Sequence, residues 1–435
     1  FLTKVTSPFL DQEPGTSGLR KPTKRFLETN YTENFVQSII STCVRPALTS
    51  QDGLLIAGGD GRYFVKECLK KVIIPICFAN GVKHLIIGVN GLISTPCASY
   101  LIRSRKAIGG ILLTASHNPG GLDNDFGIKF NCENGGPAPE MVTNRIFEFT
   151  KTIKEFHFAA DLGDFDLCKP GSESFTIGEK TIKIEVVDTA KEYCKFLQEI
   201  FDFNSIREII SGNEPKVKCV ISGLNGVLGM ARSMPTSRAL DEVCKAKQLT
   251  CFEVPTGWKY FGNLMDSGLC SLCGEESFGL GSDHIREKDG IWAVLALLSI
   301  IAREYKSGGS IELKDIVHGH WNLYGRHFFI RFDYESCTCS EGKLIMDRLY
   351  SFIADKANLS KTFSDVAIIS MDDFSYTDPT DESVSLKKGI RIFLSNGARL
   401  VFRLSGTGSD GATLRMYIDQ FERDGQKYSI ESRVS

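Results

Sequence analysis

The stretch from residue 52 to 115 constrains the fold more than any other, because apolar strand-like runs alternate there with helix-like ones. LLIAGGDGR leads into a helical FVKECLKKVIIPICFANG, then VKHLIIG, then a Thr-Pro-opened helix at Pro96–Lys106, then GGILLTAS. Continuous apolar strands separated by helices predict a mixed or parallel sheet covered on both faces. Glycines and prolines fall where the strands end, the edge at which α/β proteins hold ligands. A second alternating block runs from about Ile184 to Val227 and includes a strand-like KVKCVIS. A third begins near Ala231, with helix-like SRALDEVCKAK, strand-like LTCFEVP, a Gly-rich loop and an apolar helix at Ile291. From Gly308 the character changes: HFFIRFDYE, GIRIFL and ARLVFRLSG are amphipathic strands around a helical LIMDRLYSFIADKA, which predicts an α+β domain. Ser94-Thr-Pro and Met234-Pro-Thr-Ser each open a helix, a weak echo of duplicated α/β units.

Length and composition bound the rest. The 435 residues exceed one ordinary core and suggest about three domains. With 42% hydrophobic and 24% charged residues, disordered, collagen-like and disulfide-scaffold chains are excluded. A formal net charge of −2 gives no reason to expect nucleic acid or an anionic membrane as partner. The apolar Ile291–Ala302 is too short to cross a bilayer core of about 30 Å, so no transmembrane segment is expected and this stretch is expected as a buried helix. The chain starts at Phe1 without methionine and shows no secretory leader, so a cytoplasmic protein whose given sequence is incomplete is expected. The 14 cysteines are dispersed through apolar segments, as at Cys68, Cys77, Cys194 and Cys219, and are expected as thiols in a reducing compartment. Cys270-x-x-Cys273 is half of a zinc site and His284 lies at no familiar finger spacing, so zinc is not expected.

Five loops carry candidate chemistry. Thr114-Ala-Ser-His-Asn-Pro-Gly-Gly121 follows the strand GGILL and exposes a hydroxyl beside an imidazole on a turn-rich loop. It lacks the flanking glycines of a nucleophile elbow, and on residues alone an incidental turn is an equal reading. Phe402-Arg-Leu-Ser-Gly-Thr-Gly-Ser-Asp-Gly-Ala-Thr-Leu-Arg415 gathers glycines, hydroxyls and two arginines, the donors a phosphate requires, against a plain Gly-rich hairpin. Cys273-Gly-Glu-Glu-Ser-Phe-Gly279, followed by Asp283-His-Ile-Arg-Glu-Lys-Asp289, suits a polyol, because a carboxylate accepts from two neighbouring hydroxyls; alone it reads more readily as a solvated charged loop. Pro14-Gly-Thr-Ser-Gly-Leu-Arg-Lys21 offers hydroxyls and two cations, and Pro255-Thr-Gly-Trp-Lys259 sets an aromatic plane on a glycine loop.

Taken together these loops resemble the α-D-phosphohexomutase superfamily, specifically eukaryotic phosphoglucomutase. PGTSGLRK, TASHNPGG with DFGIKFN, ARSMPTS, PTGWK, LCGEESFGLGSDHIREKDG and FRLSGTGSDGATLR occur in family order through nearly the whole chain. The resemblance implies an α/β fold of four domains around a central cleft, three similar mixed α/β units and a C-terminal α+β domain. It sets domain 1 at 1–178, an incomplete domain 2 at 179–229, domain 3 at 230–307 and domain 4 at 308–435. It implies interconversion of glucose 1-phosphate and glucose 6-phosphate through glucose 1,6-bisphosphate, with Mg²⁺, so small sugar phosphates are the expected partners. Ser116 is similar to the family's phosphoserine, and through its phosphate to a metal ligand. His117, Lys129 and Arg20 are similar to the polar and cationic groups around the transfer, the base among them being left open. Thr256, Gly257, Glu275, Ser277 and Lys288 fit sugar-contacting positions. Arg403, Ser405, Gly406, Thr407 and Arg415 fit the loop holding the phosphate that is not transferred.

The chain is expected to depart from the family in its metal loop and again at Gln426–Ser435, which does not follow the family's closing pattern. The metal loop Asp-Gly-Asp-Gly-Asp-Arg is absent, no Asp-x-Asp-x-Asp occurs at all, and the resemblance breaks between about Val227 and Ala231. Half a domain cannot bury its own core, so the given sequence is expected to omit a stretch that the whole protein carries. Two other readings stay open: a non-enzymatic structural or regulatory relative, and a phosphomannomutase-type hexose specificity.

Overall fold

The computed structural model describes residues 1–15, 18–49, 53–160, 162, 165–177, 180–211, 229–309, 312–363, 365–406 and 412–428. The strand expected at KVKCVIS and the hydroxyls of the loop at 16–17 lie outside them. The chain divides into two compact units, one of Phe1–Leu197 with His284–Glu287, the other of Gln198–Asp283 with Lys288–Ser435.

Among its described residues the first unit has nine strands: β1 Leu2–Val5, β2 Leu19–Pro22, β3 Leu54–Gly59, β4 His84–Leu92, β5 Gly109–Leu113, β6 Asp125–Cys132, β7 Glu155–Phe158, β8 Gly171–Ile177 and β9 Lys180–Val187. Seven form one sheet in the order β2-β6-β5-β3-β4-β9-β8, while β1 pairs with β7. β3 runs parallel to β4 and β5, and β6 returns antiparallel to β5. The sheet is mixed, as the alternation predicts. β3 and β5 are buried almost throughout because helices cover both faces, and Leu55, Ala57, Leu85, Ile87, Ile111 and Leu113 form the centre of one core. The helix Thr95–Ser104 opens as expected, with the Ser94 hydroxyl accepting from the Cys97 amide. β9, expected in the second domain, pairs in parallel with β4 and extends this sheet to Val187. His284–Glu287 joins the unit from far along the chain, its Arg286 amide donating to the Ser99 hydroxyl at 3.0 Å.

Among its described residues the second unit has twelve strands: β10 Gly229–Ser233, β11 Thr250–Val254, β12 Leu272–Gly274, β13 Leu280–Ser282, β14 Arg326–Cys337, β15 Thr362–Phe363, β16 Val366–Asp373, β17 Tyr376–Thr377, β18 Val384–Ser385, β19 Ile390–Leu394, β20 Arg399–Gly406 and β21 Ala412–Glu422. A four-stranded sheet runs β11-β10-β12-β13, with β10 parallel to both neighbours and β12–β13 a hairpin. A six-stranded antiparallel sheet runs β14-β21-β20-β19-β16-β15, and the helix Cys339–Ala354, opened by a Thr338/Glu341 capping box, packs on it through Met346. This is the α+β domain read from the tail. Cys270 and Cys273 belong to an apolar cluster with Ala231, Val254 and Phe261, as small buried hydrophobes.

One expectation fails. The apolar stretch at Ile291 forms the helix Gly290–Lys306, capped by Asp289, but it is not buried. Leu295, Ser299 and Ala302 are covered, while Ile291 and Val294 are 54% and 57% exposed and Leu297 and Ile300 are also open. The elements packed most closely on it are the helix Phe203–Ser211 and β13. Among the described residues no helix is long and apolar enough to cross a membrane.

Candidate active site

The parallel pairing of β3 with β5 sets Gly59 opposite Leu113, so the residues that follow, Asp60 and Thr114, leave the same edge of the sheet together. The Thr114 hydroxyl donates to Asp60 Oδ2 at 2.7 Å and accepts from the Ser116 amide at 2.9 Å. Arg62 completes the clamp. Its Nε donates to both Asp60 oxygens at 3.0 and 3.1 Å, and its terminal nitrogens reach the carbonyls of Ser116 at 3.2 Å and Asp125 at 2.8 Å. Asn118 donates to the Asp125 carboxylate at 2.6 Å. β6 closes from the other side: the Thr114 amide donates to the Gly127 carbonyl at 2.9 Å, and a Cβ on Gly127 would lie 2.4 Å from the Thr114 carbonyl. The glycine in FGIKFN is therefore a requirement of the serine loop.

Within this frame Ser116 is exposed and holds φ of 61°, a left-handed conformation that costs a non-glycine residue about 1–2 kcal/mol. His117 is exposed beside it, with Nδ1 3.4 Å from the Ser116 hydroxyl. Burial pushes the Asp60 carboxyl up, but hydrogen bonds from Arg62 and Thr114 and the Arg62 charge outweigh it and leave it below the usual range. Arg20, on β2 opposite Gly127, is lowered by burial and then by Arg62, and its Nε is buried without a partner among the described residues. Lys129, on β6 opposite Leu112, pairs with the buried Glu287 at 2.5 Å, which also accepts from Asn131 at 3.0 Å. The structure thus brings Ser116 and His117 together and sets Arg20 within the field of Arg62, whereas the described ion pair of Lys129 is with Glu287.

In the second unit the two glutamates of the β12–β13 hairpin are both buried. Glu275 accepts from the Gly257 amide at 3.0 Å, from Ser277 at 3.3 Å and from Lys288 at 3.4 Å. Gly257 holds φ of 139°, and its amide is free to reach Glu275 because the chain turns there into the helix Trp258–Asp266. Glu276 accepts from Ser233 at 2.5 Å, Arg403 at 2.8 Å, Thr256 at 3.3 Å and Tyr417 at 3.4 Å. Thr256, Gly257, Glu275, Ser277 and Lys288, chosen from the sequence, therefore converge. Arg403 and Arg415 face each other across β20 and β21, with Ser405 and Gly406 at the end of β20. Thr407 lies outside the described residues. Asp60, Arg62, Glu276 and Tyr417 were not singled out from the sequence. GGDGR at the end of a strand was a usable signal for the first two, and Glu276 stands next to a chosen residue.

A divalent metal, implied by the resemblance, fits the described residues poorly. Among them no group of three or more His, Cys, Asp or Glu side chains could hold one. Beside the serine loop, Asp60 already spends both oxygens on Arg62 and Thr114. A hard cation needs several free oxygens in one place.

Residues 11–157 match the family model for phosphoglucomutase/phosphomannomutase alpha/beta/alpha domain I, residues 219–324 that for alpha/beta/alpha domain III, and residues 326–434 that for the phosphoglucomutase-1 C-terminal domain. Together with the mixed α/β units and the α+β tail, these fit a four-domain architecture. The chain is 41% identical to phosphoglucomutase-1 of Bos taurus over 539 residues, covering 100% of the chain and 94% of that protein. It is 41% identical to the cytoplasmic phosphoglucomutase of Populus tremula over 552 residues, covering 98% and 93%. Both alignments are longer than the chain itself and so cross positions at which it has no residue. Among solved structures, the open form of the exocytosis-sensitive phosphoprotein pp63/parafusin, a phosphoglucomutase from Paramecium, superposes with a TM-score of 0.87 at 34% identity, covering 99% of this chain and 94% of that one.

Proposed function

Since the chain belongs to the phosphoglucomutase/phosphomannomutase family, we propose that it is a cytoplasmic phosphoglucomutase, an isomerase interconverting glucose 1-phosphate and glucose 6-phosphate. The observation that carries this reading is the serine loop, a strained, exposed Ser116 clamped by Thr114 and Arg62 at the end of a parallel strand. In the first half-reaction the bond between phosphorus and Ser116 Oγ breaks and a bond to a hydroxyl oxygen of the sugar forms. The hydroxyl proton passes to a base, for which His117 is our choice. Glucose 1,6-bisphosphate results, turns over, and returns its other phosphoryl group to Ser116. Arg20 and Lys129 supply positive charge on the same unit, while Thr256, Gly257, Glu275, Ser277 and Lys288 hold the sugar. Arg403, Ser405, Gly406, Thr407 and Arg415 hold the phosphate at rest. Phosphoryl transfer rests on positioning and charge neutralisation, which suits a site of cations and hydroxyls.

The family is metal-dependent, and Mg²⁺ would neutralise charge on the transferred phosphoryl group, with the Ser116 phosphate as one of its ligands. The described residues do not supply the remaining oxygens that such an ion needs. The second reading is a non-enzymatic structural or regulatory relative. A coupled assay in Mg²⁺ separates the two. Turnover is expected in the wild type and none in Ser116→Ala, with the mass of one phosphoryl group present on the wild-type chain and absent from the variant. Equal activity in both proteins sinks the assignment.

A further inference from the structure

The carboxylate of Glu276 is the meeting point of four elements of the second unit. Its side chain is 0% exposed. Oε2 accepts from Ser233 at the end of β10, and Oε1 accepts from Arg403 on β20 at 2.8 Å and from Tyr417 on β21 at 3.4 Å. Thr256, in the turn after β11, reaches both oxygens at 3.3 and 3.5 Å. Its neighbour Glu275 gathers Gly257, Ser277 and Lys288 on the other side of the same hairpin. Burial of a bare carboxylate costs several kcal/mol unless it is paired and hydrogen-bonded, so a chain that retains one here holds its donors tightly in place.

Resting on the reading of Arg403 as a grip for the phosphate at rest, the geometry points to Glu276 as the positioning residue of that grip. It engages one terminal nitrogen of the Arg403 fork, which also donates to the Tyr417 hydroxyl at 3.3 Å, and among the described residues leaves Nε and the other terminal nitrogen for an anion. It also fixes that fork to the very turn and hairpin that carry Thr256 and Glu275. Sugar loop and phosphate grip are thereby tied through one carboxylate, which helps hold the Arg403 fork in place for a hexose phosphate.

The test is a double-mutant cycle read by calorimetric binding of glucose 1-phosphate to the full chain, which needs no turnover and so stands or falls apart from the assay of Ser116. Glu276→Gln keeps the shape and removes the charge. It is expected to weaken binding about tenfold, the worth of a hydrogen bond between charged groups. Arg403→Ala weakens binding at least as much, and the double variant is expected to bind no more weakly than Arg403→Ala alone, because Glu276 acts through Arg403. Unchanged or tighter binding in Glu276→Gln overturns the inference, as does a double variant weakened by the product of the two single effects. Circular dichroism checks folding. Should Glu276→Gln fail to fold, Ser233→Ala, which removes only a donor to Glu276, decides: weaker glucose 1-phosphate binding supports the inference and wild-type binding overturns it.

Discussion

A guanidinium whose side chain is 6% exposed and whose donors go to one carboxylate and three backbone carbonyls fixes a loop as no ammonium can. Arg62 does this for the serine loop, and it touches the Ser116 carbonyl rather than its hydroxyl. Lysine in its place keeps the charge and loses the fork. Arg62→Lys is therefore expected to lower kcat for glucose 1-phosphate about a hundredfold, the scale of an ångström-sized misplacement of reacting groups, while KM changes little. Wild-type kcat in that variant would mean the loop is held by Thr114 and Gly127 alone. Ser116 and His117 were legible in the sequence because a hydroxyl, an imidazole and an Asn-Pro-Gly turn stand in one row. Arg62 and Glu276 were not, because their importance lies in partners 54 and 127 or more residues away in the chain.

Elements divide by how much their burial depends on distant neighbours. β3, β5 and the helix after Ser94 were readable because a strand buried on both faces is apolar throughout and a capping serine acts on the next three residues. The helix Gly290–Lys306 was readable as a helix but not as an exposed one. Periodicity counts apolar side chains, whereas coverage is decided by the elements packed beside them. The same limit hid the pairing of β9 with β4, which joins residues some hundred positions apart. Stability should follow coverage and not hydropathy. Ile111→Ala, in the centre of β5 and 0% exposed, is expected to cost about 2–5 kcal/mol in denaturant unfolding. Val294→Ser, on the open stripe, is expected to stay within about 0.5 kcal/mol of the wild type. A large cost at Val294 would mean that the stripe is covered in solution.

At the scale of the whole chain, a net charge of −2 conceals strong local pairing. Glu253 accepts from Arg232 at 2.9 Å, Arg391 at 2.5 Å and Arg399 at 3.2 Å, and burial lowers the Arg399 guanidinium to about 10. Asp419 on β21, 1% exposed, is met by His327 of β14 at 3.0 Å, by Arg238 at 2.7 Å and by the Ser237 hydroxyl at 3.0 Å, and by the charge of Arg399 on β20. Burial raises its carboxyl, but His327 and the arginines outweigh burial and hold it well below the ordinary 3.8. A lowered carboxyl contributes stability that is fully present above 3.8 and lost as pH falls through the folded value. Asp419→Asn is accordingly expected to cost about 3–5 kcal/mol at neutral pH, with the gap to wild type shrinking below pH 3.8 in melts across pH. A gap that does not shrink would assign the effect to packing.

The short return of His284–Glu287 to the first unit also sets a clock. A ribosome that has released Leu197 has made every strand of the seven-stranded sheet, yet Glu287, the partner of the buried Lys129, is still unmade. At ordinary elongation rates the wait is on the order of ten seconds. For that interval Lys129 lacks its counter-charge, and the first unit is completed only after much of the second has been synthesised.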